Sequence, residues 1–201
     1  MERIIALIFL ILLSPLILLL CLVVKATSPG PFLFSQKRMG KNFKPFFIYK
    51  VRTMQEDAER KKNKLIKFNE ADGPVFKIYN DPRLTAIGKI LWKTGIDEVV
   101  QLLNIVKGEM SFVGPRPLPI AEANKIPKKY RERFSLKPGM TSLWIIRGSH
   151  KLSFKQWMES DLEYLRRKNL FLDFYIMAST LDFVIRSSFI EFKRFFAIKS
   201  S

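Results

Sequence analysis

Residues 4–24 read Ile4-Ile5-Ala6-Leu7-Ile8-Phe9-Leu10-Ile11-Leu12-Leu13-Ser14-Pro15-Leu16-Ile17-Leu18-Leu19-Leu20-Cys21-Leu22-Val23-Val24, an apolar run whose only clearly polar side chain is Ser14. Its length matches the roughly 20 apolar residues needed to cross a hydrocarbon core. A signal peptide fits badly, because the run is too long and no small-x-small site follows at Lys25-Ala26-Thr27-Ser28. Pro15 divides the run in two. Proline has no amide hydrogen, so its bond to the Ile11 carbonyl cannot form, and its ring crowds that carbonyl. Each half reaches about 15 Å, roughly half the hydrocarbon thickness. The Ser14 hydroxyl can satisfy a carbonyl freed at the break. Two geometries fit: a helix–break–helix that enters and leaves through one face, and a kinked helix that spans. In both, the basic chain after Lys25 stays cytoplasmic by the positive-inside tendency.

That basic chain dominates the composition. Lys and Arg number 35 against 18 Asp and Glu in 201 residues, a formal charge of +17. Such a charge calls for an anionic partner: nucleic acid, an anionic lipid surface or a phosphorylated substrate. The 18 Phe suit a lipid headgroup region as well as nucleic acid, so composition does not choose between them. One cysteine, Cys21, and one histidine, His150, exclude a disulfide within the chain, a cysteine zinc site and a histidine-rich metal site. Catalytic groups are to be sought first among the carboxylates.

Past the apolar run, Ser28-Pro29-Gly30-Pro31 forces a turn. Two extended stretches, 32–36 and 46–51, read as a small β-hairpin joined through Arg38-Met39-Gly40-Lys41-Asn42. The charged stretch 54–67 reads as a helix with a solvated face. Val99, Leu102, Leu103 and Val106 fall at amphipathic helical spacing, ended by Gly108. Residues 153–167 read as a further helix. Residues 171–196 are apolar but carry Asp173, Asp182, Arg186, Glu191, Lys193 and Arg194, which favours a helix lying along an interface over a second crossing. The fold class is α+β and mostly α. The division is residues 1–27 as the membrane segment and 28–201 as a cytoplasmic-face catalytic domain with interfacial helices.

Three constellations could carry chemistry. Thr94-Gly95-Ile96-Asp97-Glu98 puts two carboxylates at a helix start, where N-capping and the helix dipole already explain acidic residues. The alternative is a carboxylate nucleophile beside a metal ligand. Ser111-Phe112-Val113-Gly114-Pro115-Arg116-Pro117 stiffens the backbone on both sides of Arg116, which can then present its guanidinium fork to phosphate oxygens at little entropic cost, or simply end a surface turn. Asp81-Pro82-Arg83-Leu84-Thr85 alone is a loop leading into a helix.

Together, and with residues 45–54, 101–110 and Lys137-Pro138-Gly139-Met140-Thr141, these stretches resemble the bacterial sugar transferase family in order and spacing. The resemblance covers nearly the whole chain and is strongest to the small monotopic phosphoglycosyl transferases. It implies a re-entrant helix broken at Ser14-Pro15 and amphipathic helices coplanar with the cytoplasmic face of the bacterial inner membrane. It further implies that Asp97 is the nucleophile and Glu98 a Mg²⁺ ligand or assisting carboxylate, with Asp97 close to the same Mg²⁺. A phosphosugar would pass from a UDP-sugar to polyprenyl (undecaprenyl) phosphate through a phosphosugar-aspartyl enzyme, releasing UMP and starting glycan assembly. Arg116 would bind phosphate.

The chain departs from the family pattern in two places. Trp92 stands where the family has Arg, and Gly95 where it has Ser, so Lys93 or Arg83 is expected to supply the missing charge. Of the family's run after Thr141, only Gly148 keeps its place, and Arg147 is the candidate to restore charge there. His150 reads as structural rather than catalytic.

The implied partners are the UDP-sugar, the polyprenyl phosphate and membrane lipids; nucleic acid is not expected, and a homodimer is left open. A non-catalytic module binding anionic lipid would explain the charge but not the Asp97-Glu98 pair set ahead of Arg116. A glycosyltransferase of the Asp-x-Asp type lacks its triplet here, and a phosphate-binding glycine loop is absent.

Overall fold

A computed structural model describes residues 1–148 and 152–199, those after Lys193 by backbone alone. His150 lies outside the described residues. The fold is mostly helical with small paired strands, α+β as the sequence predicts.

The apolar run folds as two helices, α1 (Glu2–Leu12) and α2 (Ser14–Thr27), bent by 57° at Leu13. Pro15 sits in the first turn of α2, where its missing amide leaves no helical bond unmade. Ser14 Oγ donates to the Ile11 carbonyl at 2.7 Å, the compensation its position predicts. Among the described residues no single helix is long and apolar enough to cross a membrane; the bent pair passes that test only jointly. One side of the pair is packed, with Ala6, Leu20 and Val24 buried in a core that includes Ile105. The other side exposes Ile4, Ile8, Ile11, Leu12, Leu18, Leu19 and Leu22. α1 also reaches the body through its first residues, since Ser111 Oγ donates to Glu2 Oε2 at 3.2 Å.

The hairpin pairs β1 (Leu33–Met39) with β2 (Pro45–Val51), antiparallel, with Leu33 opposite Val51 and Met39 opposite Pro45. β1 runs three residues past the sequence-based end, because Met39 N–H reaches the Leu118 carbonyl and Arg38 bridges to Pro119. Asn42 and Phe43, both at positive φ, close the turn. The helix expected over 54–67 is shorter, α3 (Ala58–Leu65), because Met54 and Gln55 pair instead with Leu84 and Arg83.

α4 (Ala86–Thr94) starts at a Thr85 cap accepting from Gly88 N–H and stops at Gly95, φ +75. The chain then makes a 3-10 turn, Ile96–Gln101, before α5 (Leu102–Lys107). The continuous α-helix expected from Val99 is therefore 3-10 in its first part. β3 (Ser111–Val113) pairs in parallel with β4 (Gly139–Thr141), a pairing too short for any periodicity to signal.

Between them come α6 (Ile120–Ala123) and a 3-10 stretch, Lys128–Ser135; after β4 come α7 (Leu143–Ile146), α8 (Phe154–Arg167) and α9 (Leu170–Lys199). Ser153 and Gln156 form a capping box at the start of α8, the helix expected over 153–167. α9 is one long helix over the predicted stretch, held to α4 by Lys93–Glu191 and to β4 by the Thr141–Thr180 hydroxyl pair at 2.5 Å.

The interior is divided. One core joins the N-terminal helices, β2 and α5; a second gathers Met39, Leu118, Tyr130, Phe134, Trp144 and Trp157; a third, Val113, Leu143, Tyr164 and Ile176, seats α9. The main cavity is lined from all three.

Candidate active site

The left-handed Gly95 turns the chain so that Asp97 and Glu98 fall in the first turn of the 3-10 segment, facing the cavity. Asp97 is 2% exposed. β2 supplies the facing cation, and Asn104 holds β2 in place. Asn104 Oδ1 accepts from Tyr49 N–H at 3.1 Å, while Nδ2 donates to the Phe47 carbonyl at 2.6 Å and to Glu109 Oε2 at 2.7 Å. Lys50 Nζ then lies 2.5 Å from Glu98 Oε1 and 3.7 Å from Asp97 Oδ2.

Arg116 closes on the dyad from the opposite wall, donating from Nη2 to Glu98 Oε1 at 2.9 Å. The loop that carries it is tightly built. A Cβ on Gly114 would overlap the Lys137 carbonyl, and one on Gly139 would meet Gly114, so the parallel strands approach only because both residues are glycine. Arg133 Nη2 donates to the Arg116 carbonyl at 2.8 Å and pairs with Asp161 Oδ2 at 2.7 Å.

Environment separates the two carboxylates. Burial pushes the Asp97 carboxyl up to about 6; Lys50 opposes that and the charge of Glu98 reinforces it. Burial raises Glu98 too, but Arg116 and Lys50, each also hydrogen-bonded to it, outweigh burial and hold it at about 2. Glu98 is thus an anchored anion. Asp97 has no such pair of donors and keeps its basicity, which suits a nucleophile.

The surrounding cavity has a volume of about 1670 Å³. Phe9, Leu13, Phe112, Phe174 and Leu181 line it from α1, the bend, β3 and α9, giving an apolar flank beside a charged centre. The two adjacent carboxylates are hard oxygen donors of the kind that hold Mg²⁺ together with substrate phosphates, so the residues fit that ion. No group of three or more His, Cys, Asp or Glu placed to hold a metal occurs among the described residues.

The other predicted residues divide. Arg83 and Lys93 line the cavity, but both are engaged: Arg83 with Asp81 at 2.6 Å, and Lys93 with Glu191 at 3.3 Å. Arg147 pairs with Glu163 at 2.7 Å and is not among the lining residues. Ser14 and Pro15 mark the bend, with neighbouring Leu13 on the cavity wall. Sequence reasoning missed Lys50, although a signal existed: it shares a strand face with the buried Phe46 and Ile48, where a lysine needs a reason. It also missed Arg38, Lys77 and Trp144, which no local spacing connects.

Comparison with known proteins bears on the family. Residues 1–187 match the family model described as bacterial sugar transferase. The chain is 41% identical over 157 residues to the galactosyl transferase CpsE of Streptococcus agalactiae, covering 78% of this chain and 35% of that protein. It is 36% identical over 190 residues to the exopolysaccharide production protein ExoY of Sinorhizobium fredii, covering 92% of this chain and 84% of ExoY. It is 34% identical over 185 residues to the undecaprenyl-phosphate galactose phosphotransferase of Salmonella typhimurium, covering 88% of this chain and 38% of that protein. The chain thus spans about a third of the two longer relatives and most of ExoY. With the family model running through the broken helix, the carboxylate pair and the Arg116 loop alike, the chain belongs to the bacterial sugar transferase family of enzymes.

Proposed function

We propose that this protein is a phosphoglycosyl transferase that moves a phosphosugar from a UDP-sugar to polyprenyl phosphate through Asp97. The observation that carries the reading is the unequal carboxylate pair: Glu98 fixed by Lys50 and Arg116, Asp97 buried beside it and still basic. In the first step an Asp97 carboxylate oxygen attacks the β-phosphorus. The bond from that phosphorus to the bridging oxygen breaks, and UMP leaves with the bond's electron pair. In the second step a phosphate oxygen of the polyprenyl phosphate attacks the same phosphorus, the Asp97 oxygen departs, and a polyprenyl diphosphosugar forms with the carboxylate restored. Covalent catalysis lets one site serve a soluble and a lipid substrate in turn. Arg116 and Lys50 offset the repulsion between an attacking carboxylate and a diphosphate. Mg²⁺, held by Asp97 and Glu98 with the substrate phosphates, would supply further charge neutralisation.

Residues 1–27 act as a re-entrant membrane segment on the cytoplasmic face of the inner membrane, with residues 28–201 as the catalytic domain. Support comes from both ends of the bent pair. Glu2 bonds Ser111 at the start, and at the finish Arg52 donates to the Ser28 carbonyl at 2.8 Å and to the Pro29 carbonyl. A spanning helix would carry one of these ends away from the body. The apolar outer face between them is of the size and kind that lipid covers.

The test is UMP release from a panel of UDP-sugars by the full chain in lipid, with Mg²⁺ and undecaprenyl phosphate, comparing wild type with Asp97→Asn. Release that depends on Asp97, with a sugar-phosphate adduct trapped on that residue, is the expected result. Release unaffected by Asp97→Asn, or none from any donor by folded protein, would overturn it.

A further inference from the structure

Beyond the dyad the cavity is lined by further donors, Lys77, Arg38 and Trp144, that the dyad chemistry does not use. The Trp144 indole stacks on Trp157 with centroids 4.4 Å apart and planes 20° from parallel. From outside that stack, Lys77 Nζ and Arg116 Cζ approach the Trp144 ring to 5.8 and 5.7 Å of its centroid. Arg38 enters from β1, donating to the Pro117 carbonyl at 3.1 Å. Lys77 has no carboxylate within ion-pair distance among the described residues. Trp144 Nε1 and Arg38 Nε are buried donors with no acceptor. Burial and the charge of Arg116 pull Lys77 down to about 8 and Arg38 to about 10, against the opposing charges of Glu70 on Lys77 and of Glu122, Glu98 and Glu59 on Arg38. Cations and unmatched donors along one stretch of the cavity wall suit an anion rich in acceptor oxygens.

The clusters behind Asp97 and behind Trp144 say which anion. Asp97 lies on the side of the core built from α1, α2 and α5, which also bears the apolar flank suited to a lipid chain. Trp144 and the residues around it belong to the second core, which contains no residue of the N-terminal helices. Arg116 bridges the two, bonded to Glu98 on one side and set against Trp144 on the other. A diphosphate lying along Arg116 would therefore place the phosphorus under attack by Asp97 and its leaving phosphate by Trp144.

Resting on the function proposed above, we propose that Lys77 and Arg38, set with Arg116 against Trp144, form the subsite for the phosphate of the departing nucleotide and not for the phosphate of the lipid acceptor.

The experiment uses the full chain in lipid nanodiscs and compares wild type, Lys77→Gln and Lys77→Arg. Equilibrium binding of UMP and of uridine is measured, together with KM for the donor and for undecaprenyl phosphate. Lys77→Gln is expected to weaken UMP about tenfold, leave uridine unchanged, and raise the donor KM without moving the acceptor KM. Lys77→Arg, which keeps the charge, should recover most of the loss. Thermal melting of Lys77→Gln within a few degrees of wild type excludes a folding explanation; if that variant melts early, the Lys77→Arg recovery and the UMP–uridine difference decide. Unchanged UMP binding in Lys77→Gln, or a rise in the acceptor KM alone, would overturn the subsite. Weakened UMP binding with no turnover on any donor would keep the subsite and sink the transferase reading. Asp97-dependent turnover with Lys77→Gln unaffected would do the reverse.

Discussion

Arg133 Nη2 donates to the main-chain carbonyl of Arg116 at 2.8 Å, so one fully buried arginine supports the backbone of another that faces the cavity. Arg133 and its partner Asp161 are each 1% exposed by side chain. Removing one member of a buried pair strands the other charge, at a cost of about 3–5 kcal/mol.

Arg133→Met is accordingly expected to lower the melting temperature strongly, as is Asp161→Leu. The double variant should recover much of the loss, because neither charge is left alone. Only variants lacking Arg133 should lose activity beyond what stability explains, since the Arg116 carbonyl then lacks its donor. Thermal melts combined with activity at a temperature where all variants are folded would check this; a double variant no better than the singles would refute it.

The pH profile follows from the dyad. The folded Asp97 sits at about 6 against an ordinary 3.8, so its contribution to stability is full below the unfolded value and is lost as pH rises through about 6. Activity runs the other way: the attacking form is the carboxylate, so donor cleavage should rise between pH 5 and 7. Asp97→Asn should abolish cleavage, fold normally, and be at least as stable as wild type at pH 7.5. Lys50→Met removes a cation that lowers both carboxyls, and should move the acid limb of cleavage to higher pH.

Asn104 is fully buried and makes three hydrogen bonds with its amide. Asn104→Asp keeps the size but sets a carboxylate against the Phe47 carbonyl and Glu109. It should be no more stable than Asn104→Ala, each losing about 2–4 kcal/mol on chemical denaturation. Recovery by Asp would mean that the Tyr49 bond alone matters.

Pro15→Leu restores an amide where the bend forms and should favour a straight, spanning helix. A cysteine placed at Glu2 should react with impermeant reagent only from the cytoplasmic side in the wild-type background, and from the opposite side with Pro15→Leu. Periplasmic labelling of that cysteine without the Pro15 change would refute the re-entrant arrangement.

What could be read from sequence depended on how local the cause was. The Ser14-Pro15 break, the hairpin and the helix α8 each rest on neighbours in the chain. Val99, Leu102, Leu103 and Val106 have α-helical spacing, yet the chain is 3-10 from Ile96 to Gln101 and α only from Leu102. β3 and β4 are not anticipated, because three residues cannot show a period. Lys77, Arg38 and Trp144 stand far apart in sequence and meet only through tertiary packing. Arg83 was read as a phosphate ligand, and Asp81, two residues earlier, engages it.

A methyl placed on the Gly95 Cα meets nothing within 4 Å, so what restrains this position is the sign of one dihedral rather than a shortage of room. A side chain there would cost about 1–2 kcal/mol of backbone preference and no collision. Any change at this position is therefore paid in the turn that leads to the carboxylates and not in the packing of its Cβ.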